Sequence, residues 1–243
     1  MGVFAGFGVD GLTISAGSST VQGLEIVRFS GNGIDLNSKG GDVIDSSIIG
    51  TDYIGTAGLG NAGSGVMIDD VPGNVIGTSL ATGNLLSGNI GDGLTIFGSG
   101  ATGNLVLGNY IGTDYSGTQS IINAGNGVEL SLSDCNTIGG TTPGARDLIS
   151  VNANGVLITN SDDNVVQGNH IGTNAAGTQA IGDDIGHNVQ GQSEVGAVRS
   201  ARPRSTPPLA EVKRTPPPQP EVIGGVARTA LRPKRKLNKR TAS

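Results

Sequence analysis

Tryptophan is absent from this chain of 243 residues, and only four Phe and three Tyr are present. That scarcity excludes an aromatic-centred core, an aromatic platform for stacking bases and an aromatic cleft for stacking sugars. Cys135 is the single cysteine, which excludes an intrachain disulfide and a cysteine-based zinc site. No run of about 18 apolar residues occurs, so no segment reads as a membrane span. Met1 to Asp10 holds neither Lys nor Arg, and no signal peptide is visible there. Collagen is excluded too, because no Gly-X-Y period accompanies the abundant glycine.

What the chain does contain is 43 Gly and 10 Pro, distributed unevenly. Residues 1–191 carry 40 of the 43 Gly, and residues 192–243 carry eight of the ten Pro. Charge divides at the same place. The first piece has 17 acidic residues and three basic ones (Arg28, Lys39, Arg146), a net of −14. The second has 12 basic and three acidic residues, a net of +9, and the two sum to the overall −5. Two regions are therefore expected: a repeat body over 1–191 and a basic, Pro- and Arg-rich disordered tail over 192–243. A basic run can bind nucleic acid or acidic surfaces, but a solvated tail without a partner is the simpler expectation. The same abrupt switch in composition is what a shifted reading frame produces.

In the body, one element recurs six times as Gly, apolar, any, apolar. It begins at Gly11, Gly33, Gly65, Gly93, Gly127 and Gly155, as in Gly33-Ile34-Asp35-Leu36 and Gly93-Leu94-Thr95-Ile96. Alternation over four residues predicts a short strand with one buried face. Further on comes a second apolar pair, introduced by Asp42, Asn74, Asn104, Asn136 or Asn164. A third pair follows: Ile48-Ile49, Leu85-Leu86, Tyr110-Ile111, Leu148-Ile149 and His170-Ile171. Three short strands per repeat fit one coil of a parallel solenoid, whose coils stack at roughly 4.8 Å. The fold class expected is all-β, a right-handed parallel β-helix of about six coils. Gly and Asn at the junctions supply the left-handed backbone that sharp corners need. The recurring Asn before the second strand predicts an amide ladder along the axis. Hexapeptide, nonapeptide and leucine-rich periods all fit less well.

A longer period overlies the coil. Ile49-Gly50-Thr51-Asp52-Tyr53-Ile54-Gly55-Thr56 recurs from Ile111 and from Ile171, while intervening coils carry Ile76-Gly77-Thr78 and Ile138-Gly139-Gly140-Thr141-Thr142-Pro143-Gly144-Ala145-Arg146. With this alternation, roughly residues 5–185 resemble bacterial right-handed parallel β-helix repeat proteins of the pectate-lyase-like superfamily. The resemblance implies an extracellular or cell-surface setting, with polysaccharide or other surface proteins as partners. Such proteins commonly have a secretion signal and more coils, so the chain is expected to be a fragment. Enzymes of the superfamily imply two kinds of site. Lyases use calcium held by carboxylates and a basic residue, for which Arg28, Lys39 and Arg146 are the candidates in the body. Glycoside hydrolases use paired acids and a Gly-His-Gly segment. Asp69-Asp70, Asp162-Asp163 and Asp183-Asp184 are adjacent acids, but neighbours on a strand point to opposite faces. Gly168-Asn169-His170 and Gly186-His187-Asn188 echo the His segment only in part.

Stacking narrows the candidates. Asp35 and Glu129 share the outward face of the first sheet but lie three coils apart, roughly 14 Å. Paired glycosidase carboxylates stand about 5–9.5 Å apart. Asp134 and Asp162 each follow their repeat glycine by seven residues, so they should be neighbours in adjacent coils, with Asp163 beside them. These three form the candidate Ca²⁺ site, set against the alternative of solvated turn aspartates. Asp52 and Asp114 are expected to bond their own turns, and Cys135 to be a small packed residue. The functional expectation is a structural or interaction repeat segment of a secreted or surface protein. A polysaccharide lyase or glycoside hydrolase is the alternative, and a binding module without turnover is the third reading.

Overall fold

The computed structural model describes residues 8–79 and 81–182, together with the backbone of three short strands between 188 and 200. Each repeat forms one coil of three strands. The first coil holds β1 (Leu12–Ile14), β2 (Thr20–Gln22) and β3 (Glu25–Ile26), and the second β4 (Ile34–Leu36), β5 (Val43–Asp45) and β6 (Ile48–Ile49). The third holds β7 (Val66–Asp69), β8 (Val75–Ile76) and β9 (Leu85–Leu86), and the fourth β10 (Leu94–Phe97), β11 (Leu105–Val106) and β12 (Tyr110–Ile111). β13 (Val128–Ser131), β14 (Thr137–Ile138) and β15 (Leu148–Ile149) make the fifth. β16 (Val156–Thr159), β17 (Val165–Gln167) and β18 (His170–Ile171) make the sixth. A single 3₁₀ turn, Pro143–Ala145, interrupts the β structure among the described residues.

Like strands of successive coils pair in parallel, giving three sheets, each six strands deep over these coils. The molecule is a right-handed parallel β-helix. β19 (Asn188–Val189), β20 (Glu194–Gly196) and β21 (Arg199–Ser200) add one more strand to the first, second and third sheet. The remainder of the expected disordered tail lies outside the described residues.

Parallel pairing in register stacks identical positions, so the core is built of columns. On the first sheet, Ile14, Leu36, Ile68, Ile96, Leu130 and Ile158 succeed one another inward. The second sheet contributes Val21, Ile44, Ile76, Val106, Ile138 and Val166. The third contributes Ile26, Ile49, Leu86, Ile111, Ile149 and Ile171. From Leu36 to Ile158 these side chains are almost fully buried. One coil could not exclude water from its apolar edge, but six in contact do, and each buried Ile or Leu contributes roughly 1.5–3 kcal/mol.

Corners pose a different problem, because the chain turns inside a dry wall and its N–H groups lose their strand partners. Stacked amides supply those partners in three columns. In the first, Asn74 donates its backbone N–H and its Nδ2–H to Asn104 Oδ1 (both 2.8 Å). Asn104 repeats this onto Asn136 Oδ1 (both 2.9 Å). Asp42 begins the run and Asn164 ends it. This is the expected ladder. Two more were not anticipated: Ser47, Asn84, Asn109, Asp147 and Asn169 before the third strand, and Asn61, Asn89, Asn123 and Asn152 after it.

Just before the first amide column the backbone is left-handed in each coil from the second to the sixth, at Gly41, Gly73, Gly103, Cys135 and Asp163. Glycine meets that demand without cost, whereas an L side chain costs roughly 1–2 kcal/mol. A Cβ added at Gly103 would meet nothing within 4 Å, so strain there is purely conformational. Gly103→Ala is therefore expected to destabilise by about 1 kcal/mol, and Cys135→Gly to stabilise by a similar amount. Asn104→Ala, which orphans buried groups on both neighbouring coils, should cost about 3 kcal/mol and lower the melting temperature by roughly 10 °C. Thermal unfolding of the three variants checks the order.

Candidate functional site

The outward faces of the three sheets differ. On the third sheet the outward column is Glu25, Ile48, Leu85, Tyr110, Leu148 and His170. Leu85, Leu148 and His170 are nonetheless buried. The long loops after β6, β12 and β18 fold back over them, and a Cβ at Gly55 or Gly117 would stand only 2.7 or 2.5 Å from the Leu85 or Leu148 side chain. Each loop is closed by one antiparallel bridge: Thr51 to Gly58, Thr113 to Ser120, and Thr173 to Ala180. Inside it, Asp52 Oδ1 accepts the N–H groups of Thr56 (2.6 Å) and Ala57 (2.9 Å). Asp114 Oδ1 does the same for Thr118 and Gln119 (both 3.0 Å), and Asn174 does so for Thr178 and Gln179 (3.0 and 3.3 Å). Asp52 and Asp114 are turn carboxylates, as their Gly-Thr-Asp setting suggests.

The N–H groups of Ala57 and Thr56 hold the Asp52 carboxyl below its ordinary range. At Asp114 burial acts upward, but the Ser116 hydroxyl and the N–H groups of Gln119 and Thr118 outweigh it and lower its pKa. The loops also stack on each other two coils apart. Ala175 N–H donates to Gly117 O (3.0 Å), and Tyr115, edge-on to Tyr110 at 5.8 Å, lies against Gly55. The tip of the first loop projects instead, with Tyr53 and Ile54 73% and 54% exposed.

The second sheet presents Thr20, Val43, Val75, Leu105, Thr137 and Val165 outward, a narrow and largely aliphatic strip. The acids of chemical interest lie on the first sheet, whose outward column is Thr13, Asp35, Met67, Thr95, Glu129 and Leu157. Glu129 has a partner in the coil before it. Asp92 Oδ1 accepts Asn126 N–H (2.6 Å), Thr95 Oγ1 donates to Asp92 Oδ2 (2.8 Å), and Asn126 Nδ2 donates to Glu129 Oε2 (3.0 Å). Burial, then hydrogen bonding to Asp92 and its negative charge, raise the pKa of Glu129, against the Asn126 amide. The Asp92 carboxyl thus stands beside that of Glu129 and helps to keep the Glu129 proton in place.

Three coils away the arrangement recurs. Asp10 Oδ1 accepts Asn32 N–H (2.6 Å), and Asp35 lies in the same coil as Asn32. Burial first, then the charges of Asp10 and Asp69, raise the pKa of Asp35, while the Asn37 amide opposes them. Asp35 and Glu129 are indeed separate sites, but each has its own nearer partner. Asp10 and Asp92 were overlooked because they sit in a corner rather than on a strand. The available signal was their place immediately before a repeat glycine, Gly11 or Gly93.

The remaining candidates are placed as follows. Asp134 and Asp162 do meet across adjacent coils, where Asp134 Oδ1 accepts the backbone N–H of Asp162 (2.7 Å). Asp163 is exposed and left-handed at the glycine column. Among the described residues no group of three or more His, Cys, Asp or Glu is arranged to hold a metal ion. Cys135 is exposed rather than packed, because it occupies the same outward-turning corner as Asp163. Arg146 caps a turn, its Nε donating to Gly168 O (2.7 Å), and Arg28 and Lys39 are exposed. Asp70 Oδ1 accepts Gly100 N–H (2.6 Å), and Asp69 lies exposed at the end of β7. The His170 ring lies beneath its loop with Nδ1 3.1 Å from Ala175 O. Asp183, Asp184 and His187 lie outside the described residues. A depression of about 230 Å³ lies at the corner of the fourth and fifth coils, lined by Ile122, Asn123, Val151 and Asn152 among others, and none of its lining residues is titratable.

Compared with family models, with curated proteins and with solved structures, the chain finds no match in any of the three.

If Asp92 holds the proton on Glu129, Asp92→Asn should bring the Glu129 titration down toward the ordinary glutamate range. Carboxyl ¹³C NMR reads this directly, and an unmoved Glu129 would leave burial as its sole cause.

Proposed function

We propose that the chain is a structural or interaction repeat segment of a secreted or cell-surface β-helix protein, one that contacts carbohydrate or other surface proteins. The observation carrying this reading is the uninterrupted stack. Every described coil pairs in register with the next in all three sheets. The long loops lie flat over the third sheet and over one another, rather than framing a cleft beside the acids. Such a body offers long, regular faces, which is how solenoids recognise extended partners. The exposed Tyr53 and Ile54 and the aliphatic strip from Val43 to Val165 are apolar features on those faces. Resemblance to the pectate-lyase-like superfamily supports the secreted or surface setting, and carbohydrate is the ligand class it suggests.

A second reading, a polysaccharide lyase or glycoside hydrolase, draws on the Asp92–Glu129 pair, which has the chemistry of a general acid. Fold likeness adds little to it, since one fold hosts many functions. Incubating the full chain with neutral and uronic polysaccharides, with and without Ca²⁺, separates the two readings. Neither new reducing ends nor unsaturated uronate absorbance is expected. Turnover that vanishes in Glu129→Gln would overturn the scaffold reading. Retention of a polysaccharide without turnover, weakened by Tyr53→Ala, would support it.

A further inference from the structure

One member of the second corner column is chemically different from its neighbours. Asn84, Asn109 and Asn169 each donate Nδ2–H to a carbonyl of the preceding coil, that of Ile44 (2.8 Å), Ile76 (2.8 Å) or Ile138 (2.9 Å). Register assigns the Val106 carbonyl to the fifth coil, where the column residue is Asp147. Asp147 Oδ1 accepts both the N–H (2.8 Å) and the Nδ2–H (2.9 Å) of Asn109, as an asparagine there would. Its own N–H donates to Asn169 Oδ1 (3.0 Å). Oδ2 is buried without a hydrogen-bond partner, at the position where Asn84, Asn109 and Asn169 carry an amide NH₂. A carboxylate would thus set a negative oxygen in a dry wall beside an acceptor, an arrangement that costs several kcal/mol. A protonated carboxyl has the shape of the amide and a donor in the right place.

We propose that native Asp147 is a neutral carboxylic acid standing in for asparagine, and that its ionisation unlatches the corner between β14 and β15, making this coil an alkali-sensitive joint. Its column neighbours Asn109 and Asn169 carry no charge. Arg146, beside it in the chain, is bonded to the Gly168 carbonyl. Tyr110 and His170, on the adjoining strands, belong to the outward column of the third sheet. Burial drives the carboxyl up to about 8, against the N–H groups of Asn109 and Gly139. Because the folded pKa lies above the unfolded value of 3.8, the stabilisation is complete below that value and is lost as pH rises toward 8. Above 8 the native state itself carries the charge, and the Gly139–Arg146 connection opens locally.

Asp147→Asn tests this, since asparagine is the column's own residue. The wild type should lose up to about tenfold in its folding equilibrium constant per pH unit between roughly pH 5 and 7 relative to the variant. Amide protection at 139–147, taken relative to the intrinsic exchange rate at each pH, should fall above pH 8 in the wild type only. A variant that tracks the wild-type pH profile, or is less stable than it at every pH, would overturn the proposal. An infrared difference spectrum between the two at neutral pH gives a second readout. A protonated carboxyl band belonging to Asp147 is expected there, and a carboxylate band in its place would overturn the proposal even if the variant misfolds.

Discussion

Everything in this molecule depends on satisfying the backbone at its corners. Strands of two to four residues leave much of each coil outside the ladder, and those residues turn within a buried wall. Water cannot reach the N–H groups there, so an unmet donor would cost roughly 1–3 kcal/mol at each corner of each coil. Asparagine solves the problem because its amide both accepts and donates. Its Oδ1 takes the N–H groups of one coil while its Nδ2 reaches a partner in another. Stacking makes the solution self-propagating, since every coil supplies what the previous one lacks. It also makes each member dependent on two neighbours, which is why a carboxyl in such a column matters more than one on the surface.

The same stacking shapes the outer surface. Columns of like residues leave the second sheet with an aliphatic strip and the first with an alternation of acids, Thr and Met. Loops are tolerated only where they leave the coil without disturbing its register, and here they return to form a second layer over the third sheet. Glycine at positions 55 and 117 permits that return, because a side chain would collide with Leu85 or Leu148. A body built this way is rich in flat faces and poor in clefts. Its chemistry is confined to pairs of side chains that meet across adjacent coils.

Much of the fold was legible in the sequence for a simple reason. Inward positions follow the Gly-apolar-any-apolar pattern, and parallel register repeats that pattern without offset, so Leu36, Ile68 and Ile96 can be named as one column before any coordinates are known. The first amide column was legible likewise, because Asn74, Asn104, Asn136 and Asn164 share one place in the repeat. The second and third columns were harder to read. Their members follow loops of different length, as with Asn84 and Asn109, so no constant spacing from the preceding repeat glycine announces them, although each second-column residue stands directly before a third-strand pair. Cys135 misled for a related reason: its place in the repeat is a glycine place, and the corner turns its side chain outward.

By itself, the sequence determined the six repeat units, the inward face of most of their strands and the double period of long and short loops, because each is a local pattern repeated in register. Tertiary structure alone decided which polar groups meet. Asp10 and Asp35 are 25 residues apart, and Asp92 and Glu129 are 37 apart, yet both pairs span one coil step. Coils differ in length because their loops differ, so sequence distance does not measure stacking distance. Only the closed ladder brings the acids together, buries Asp147 among amides and leaves Tyr53 projecting from the surface.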